Sequence, residues 1–358
     1  MSKNYYWCWI GAGLIMAACV TIKTDQTAFQ DLSRQDECAK KIFPAQSNKT
    51  CLSGEFDHFT IRRLTDKGER PVWSPDGKRI AFMDKEFGDA WELDPATGQT
   101  KCLTCGFTHP GFLRVHYLKD GDYLLLGPRR RTNDFADRVF KTGFWWMPRD
   151  LSQGPRWLGE EHYEGVAVSR ESRKIAYTKT WLDTFLHFPS ALYIAELTPE
   201  GQIKNRRAVA WSINLIEAQD FLPKDAGVTM ARYTPTYEVL GIDLATGKIT
   251  NYSKSPASEE PEGIFPDGKF TMIESDRHAR KPGDMDLELY MLSLDQTGKD
   301  VRRLTRFTEV PGEKASNPAV SPDGCRIAFM KAKKSPDPAK LTGLGDGIFL
   351  LEFYQCQE

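Results

Sequence analysis

The sequence predicts an all-β chain, a six-bladed β-propeller of four-stranded antiparallel blades closed by an N-terminal strand, and three observations carry that prediction. The first is a repeat. "RPVWSPDGKRIAFM" (Arg70–Met83) returns as "NPAVSPDGCRIAFM" (Asn317–Met330), with weaker copies "FLRVHYLKDGDYLLL", "YEGVAVSRESRKIAY", "IEAQDFLPKDAGVTM" and "EPEGIFPDGKFTMI" between them. With Trp73, Tyr117, Val168, Phe221, Ile264 and Val320 as equivalent positions, the copies stand 43 to 56 residues apart, a period expected of propeller blades. The second is that each copy reads as strand, turn, strand. The third lies at the ends of the array. The sixth copy stops without an outer strand, and "FTIRRLTD" (Phe59–Asp66) reads like "DVRRLTRF" (Asp300–Phe307), the outer strand of the fifth.

Within a copy an apolar strand enters, Pro-Asp-Gly or an equivalent supplies a tight turn, and a β-branched or aromatic run leaves. A third apolar strand follows, as in "DAWELDP", "TGFWWMP", "ALYIAELT", "EVLGIDLAT", "LELYMLSL" and "GIFLLEF". Turns such as Ala96-Thr-Gly98 then lead to a more polar fourth strand, and four strands make a blade. Phe59 to Thr65 is expected to pair with Gly347 to Phe353, which leaves the last blade no free edge at the seam.

The chain has 358 residues with Lys plus Arg at 48 against Asp plus Glu at 49, so no global charge steers it to nucleic acid, and none is expected as a partner. Residues 1–19 differ from the rest. Lys3 precedes an uncharged run from Tyr5 to Ala18, shorter than the ~20 residues needed to span a bilayer and matching the apolar region of a secretory signal. Met16-Ala17-Ala18-Cys19 resembles a bacterial lipobox, which marks Cys19 for lipidation; a cleaved signal without lipid and an uncleaved anchor stay open. Residues 20–57 then form a polar tether, and 58–358 the propeller. Of the remaining cysteines, Cys38, Cys51, Cys102, Cys105, Cys325 and Cys356 are even in number, as disulfides in an oxidising compartment require. Cys325 and Cys356 flank the second and third strands of the last blade and are expected to meet at one of its faces. Cys102 and Cys105 end a strand rather than start a helix, which favours a structural pair over a redox centre.

The motif Trp73-Ser-Pro-Asp-Gly-Lys-Arg-Ile-Ala-Phe82, its copy Val320 to Phe329 and the pairs Leu64-Thr65, Leu103-Thr104 and Leu304-Thr305 resemble the PD40-type repeats of TolB-like propellers. The resemblance covers about residues 58 to 356. It implies an exported binding propeller, while the tether is too short for the α/β domain that precedes the propeller in TolB.

Strand direction gathers the blade-to-blade connections and the loops between second and third strands on one face, here called the top. Insertions concentrate there: Pro128 to Thr142, Lys179 to Ser190, Ser275 to Met285 and Lys331 to Asp346. Just before the inner strands stand Glu164, Glu217, Glu260 and Glu262, on three successive blades and expected to line one axial funnel. Like charges so focused repel unless a divalent cation, an Arg or Lys reaching in, or a basic group on a ligand joins them. The bland alternative is that they are solvated or bond backbone amides. Farther out are Arg130 within Arg129-Arg130-Arg131, Trp181, and Asp276-Arg277-His278. Arg forks suit carboxylate or phosphate, indole rings suit sugars or apolar side chains, and His278 between an acid and a base suits metal or proton transfer. Arg277 and His278 are expected close enough to share a ligand with the funnel acids. No nucleophile elbow, His-Glu-x-x-His, phosphate loop or zinc-type cysteine array is present.

Two functions stay open from this reading. One is a lipid-tethered monomer in the periplasm or at the cell surface, binding an envelope protein, peptide or anionic glycan through the top face. The other is a metal-dependent lyase or hydrolase acting on an acidic polysaccharide, by analogy with oligogalacturonate lyases at the level of fold.

Overall fold

The computed structural model describes residues 59–132, 141–181, 189–234, 236–279, 286–333 and 344–354. Cys19, Cys38, Cys51 and Cys356 lie outside them, and with them the proposed signal, tether and Cys325–Cys356 pairing. Blade one is β2–β5 (Glu69–Trp73, Ile80–Met83, Ala90–Leu93, Thr100–Cys102) and blade two β6–β9 (Arg114–Tyr117, Tyr123–Pro128, Thr142–Met147, Arg156–His162). Blade three is β10–β13 (Val166–Val168, Lys174–Thr180, Ser190–Leu197, Ile203–Ser212) and blade four β14–β17 (Ile216–Phe221, Gly227–Tyr233, Tyr237–Asp243, Ile249–Asn251). Blade five is β18–β21 (Glu259–Ile264, Phe270–Ser275, Glu288–Ser293, Val301–Arg303). Blade six takes β22–β24 (Glu313–Val320, Arg326–Lys333, Leu344–Phe353) and is completed by β1 (Phe59–Arg63). The expected closure is present: β1 runs antiparallel to β24, from Phe59 opposite Phe353 to Arg63 opposite Phe349.

Two recurring motifs explain why these residues build blades. In the Ser-Pro-Asp-Gly turn, Ser74 Oγ accepts the Arg79 amide at 2.9 Å and donates to Asp76 Oδ1 at 2.7 Å, while Gly77 takes the left-handed φ of 67° that the turn requires. Ser321 and Asp323 do the same in blade six. The Leu-Thr pair ends the outer strand. There the leucine amide makes the last ladder bond, and the threonine hydroxyl accepts an amide from strand three: Ala90 to Thr104 at 3.0 Å, Leu289 to Thr305 at 2.9 Å, Ile348 to Thr65 at 2.9 Å. A side chain thus replaces the backbone acceptor that a finished strand no longer offers.

The core lies between blades. At the seam of blades six and one, Trp73, Ile80, Phe82 and Leu93 pack on Ala328, Met330, Ile348 and Leu350. Each other neighbouring pair of blades has its own buried cluster. Burying a large apolar side chain contributes roughly 1.5–3 kcal/mol, so every blade depends on both neighbours. Arg326 adds a second tie at the seam, lying 4.6 Å from the centroid of Trp73, whose indole donates to the Ala319 carbonyl at 3.0 Å. Among the described residues, no helix is long and apolar enough to cross a membrane.

Candidate functional site: the axial channel

The inner strands β2, β6, β10, β14, β18 and β22 face the axis, and four of them carry a β-bulge. In β2, Arg70 and Pro71 together oppose Phe82; in β22, Asn317 and Pro318 together oppose Phe329. Gln219 in β14 and Glu262 in β18 are single extra residues. A bulge lifts a side chain out of the ladder and re-aims it. Here all four bulges aim a polar residue, Arg70, Gln219, Glu262 or Asn317, into one axial cavity of about 320 Å³. Arg114, His116, Val168, Asp220 and Arg170 also line it, and it runs from mid-strand to the turns between strands one and two, the face opposite the insertions.

Above that cavity, toward the top, the acids converge. Glu164 stands just ahead of β10, Glu217 lies in β14, and Glu260 and Glu262 lie in β18. Gly165 has no side chain because the carboxyl arm of Glu217 occupies the space its Cβ would fill. All four acids act on the guanidinium of Arg114, a residue that no sequence motif marks. Burial works against the charge of Arg114, but Glu262, Glu164, Glu217 and Glu260 outweigh it and hold the group above its ordinary range. One of the three expected remedies for the repulsion, an Arg reaching in, is therefore built into β6.

The balance stays negative. Burial first, then Glu217 and Glu274, push the Glu260 carboxyl well above its usual 4.5, although Arg114 pulls it down. Burial likewise raises Glu262 well above that value against the pull of Arg114. Gln219 Nε2 donates to Glu260 at 2.7 Å and Asn317 Nδ2 to Glu262 at 3.2 Å, so two bulged amides hold the two acids in place. Tyr163 and Tyr237 close the cluster, their hydroxyls raised by burial and by neighbouring charge and therefore neutral. His116 is pushed down to about 3 by burial, with Arg114 adding to the effect, and its Nε2 is buried without a hydrogen bond. His162, also buried, falls to about 4.

These shifts fix a pH dependence. A carboxyl that keeps its proton in the folded state contributes stability that is full below the unfolded value of 4.5 and is lost as pH rises through the folded value. His116 and His162 act oppositely, because below 6.5 the unfolded chain takes up protons that the folded one refuses. The melting midpoint is expected to rise as pH is lowered toward 6.5, below which the two histidines oppose the gain. In Glu260→Gln/Glu262→Gln the rise should vanish; a flat parent profile over that range contradicts the shared-charge account.

The outer candidates are placed elsewhere. Arg277, expected to share a ligand with the funnel acids, is captured by the fully buried carboxylate of Glu259 and donates to the Ser253 carbonyl at 3.1 Å, which ties blade five to blade four. Asp276 is buried and accepts the Ser258 amide at 2.8 Å. His278 sits between Tyr290 Oη at 3.1 Å and Thr308 Oγ1 at 2.9 Å, its pKa lowered by burial and Arg303. All three follow β19, the second strand of blade five, whereas the acids lie in or just ahead of inner strands. Trp181 stacks on Trp211 with centroids 4.9 Å apart, both exposed at the rim of blade three, and Arg130 is exposed after β7. Nor do the axial carboxylates close as a cation cage. Among the described residues, the one group of three ligand types within reach of a common ion is Asp89, Cys102 and Cys105, on blade one.

No protein-family model and no curated protein matches the chain. Solved structures do. A putative TolB from Agrobacterium tumefaciens aligns over 74% of this chain and 98% of its own, with a TM-score of 0.53 at 14% identity. TolB from Acinetobacter baumannii aligns over 84% of this chain and 65% of its own, with a TM-score of 0.51 at 12% identity. The fold is that of the TolB-like six-bladed propellers. An oligogalacturonate lyase from Vibrio parahaemolyticus is similar over 87% of this chain and 97% of its own, with a TM-score of 0.52 at 10% identity. At such identities the likeness establishes the frame, and the chemistry of this TolB-like propeller has to be argued from its own channel.

Proposed function

We propose that this TolB-like propeller is an exported binding module, tethered to a membrane through Cys19, whose top face receives a basic side chain of an envelope protein or peptide. One observation carries the reading: Glu164, Glu217, Glu260 and Glu262 all act on the buried guanidinium of Arg114, which lines the channel. A lysine or arginine offered by a partner supplies a second cation where Glu164, Glu217 and Glu260 repel one another, and the low-dielectric walls strengthen that attraction. An anionic glycan would add charge of the same sign at this point, so the balance favours a peptide over an acidic sugar. The rim fits such a partner, since the Trp181–Trp211 stack offers exposed ring surface of the kind that anchors protein interfaces. For a metal-dependent lyase or hydrolase, the axial acids lack a cage geometry and Arg114 already stands among them.

The test is fluorescence anisotropy with labelled peptides of matched length carrying lysine, glutamine or glutamate at the centre. The lysine peptide should bind best, weaken as salt is raised, and bind at least about tenfold more weakly to Glu217→Gln/Glu260→Gln. Equal binding of all three peptides, or tighter binding of an oligogalacturonate than of the lysine peptide, overturns the proposal.

A further inference from the structure

We propose that Asp89, Cys102 and Cys105 form a redox-gated site for a thiophilic divalent cation of the zinc class, with His109 orienting the carboxylate. Cys102 ends β5, and its sulfur meets that of Cys105 as a close pair at the rim of blade one. Both sulfurs and a carboxylate oxygen of Asp89, the residue just ahead of β4, lie within 4.8 Å of one another. The C-x-x-C spacing is that of zinc ligands, and the third ligand comes from the neighbouring strand, which is why no array shows in the linear sequence.

Two independent features prepare these atoms for a cation. The Cys105 amide donates to Cys102 Sγ at 3.1 Å, which fixes the direction of that sulfur. The carboxylate is also fixed. Thr104 Oγ1 donates to Asp89 Oδ1 at 2.7 Å, and His109 Nε2 meets the same oxygen at 2.9 Å. Gly111 donates its amide to His109 Nδ1 at 3.1 Å, so the ring carries its proton on Nε2 and acts as a donor to Asp89, not as a ligand. Both contacts fall on Oδ1, and a carboxylate has lone pairs to spare for a cation beyond those two. A histidine that orients a ligating carboxylate is a familiar outer-shell arrangement. Cys105 is exposed and Cys102 half-buried, so reductant and ion both have access.

In the oxidised state the sulfurs share a bond and offer no charge. A dithiol reductant delivers two electrons and two protons to that bond, becomes a cyclic disulfide, and leaves two protein thiols. The cation then displaces both thiol protons, and two thiolates, one carboxylate and a water complete a tetrahedron. Ligand atoms around tetrahedral zinc stand about 3–4 Å apart, so a side-chain rotation of the exposed Cys105 is the main movement needed. Disulfide and metal thus alternate as staples of one corner, and the redox state of the surroundings decides which is present.

The experiment uses the full chain, reduced with a phosphine, desalted without air, and titrated with Co²⁺ followed by Zn²⁺ competition. Reduced parent protein should take up one more equivalent than Cys102→Ser/Cys105→Ser, with thiolate-to-cobalt absorption, and oxidised protein should not. Asp89→Asn should weaken binding at least about tenfold, and His109→Ala should weaken it without changing the stoichiometry. Uptake that is equal in the parent and the double serine variant, or unchanged in Asp89→Asn, refutes the site. Should the double variant lose its β-sheet dichroism, Cys105→Ser alone, on the exposed turn, serves as the comparison.

Discussion

Replacing Arg114 with methionine should destabilise the propeller by about 3–5 kcal/mol, the usual cost of removing one partner from a buried charge cluster. Methionine keeps much of the arginine stem's volume, so the loss reports charge more than packing. Glu164, Glu217, Glu260 and Glu262 would then face one another without their guanidinium. The decisive measurement is a cycle of denaturant melts in which Glu260→Gln and Glu262→Gln are added to Arg114→Met. If repulsion is the cause, the two glutamines restore most of the loss, although singly they cost the parent little. An Arg114→Met protein within about 1 kcal/mol of the parent would show that the acids are neutralised some other way.

Deleting residues 59–65 should leave no soluble monomer. β1 covers β24 through five paired residues, and its Phe59 and Ile61 pack on the cluster that contains Phe353 and Leu351. Without it the blade-six edge presents unpaired backbone beside newly exposed phenylalanines, a template for pairing with other chains. Size-exclusion chromatography should show aggregate in place of the parent protein's peak. Supplying residues 57–67 as a synthetic peptide during refolding should recover part of it, because the missing interaction is local to one edge. A monodisperse truncated protein with an unchanged melting midpoint would mean that the ring closes without its N-terminal strand.

The frame of this protein was open to reading because its local rules repeat. Each Pro-Asp-Gly turn forces the same hairpin, each Leu-Thr pair ends the same kind of strand, and the seam showed itself as one copy lacking an outer strand. The channel was half legible. Glu164, Glu217 and Glu260 precede their reference residues by four positions and Glu262 by two, whereas Arg70, Arg114 and Asn317 precede theirs by three. Counted by ladder register, Arg114 stands opposite the same second-strand position as Glu217 and Glu260, but the bulges in β14 and β18 shift the count by one and hide the equivalence. Asp276-Arg277-His278 shows a different limit of the sequence. Proximity to the axis depends on which strand a residue follows, and a charged triplet on a loop does not reveal that its arginine is already bound to Glu259, a residue passed over beside Glu260.

The bulged positions have a consequence for how such a ring changes over time. Gln219 and Glu262 stand outside the hydrogen-bonded ladder, so exchanging them leaves the strand register untouched, whereas Arg70 and Asn317 hold left-handed φ of 52° and 50° that few side chains adopt. Ladder residues such as Glu217 and Glu260 serve pairing and charge together, whereas Gln219 and Glu262 can change what the channel accepts without changing a register.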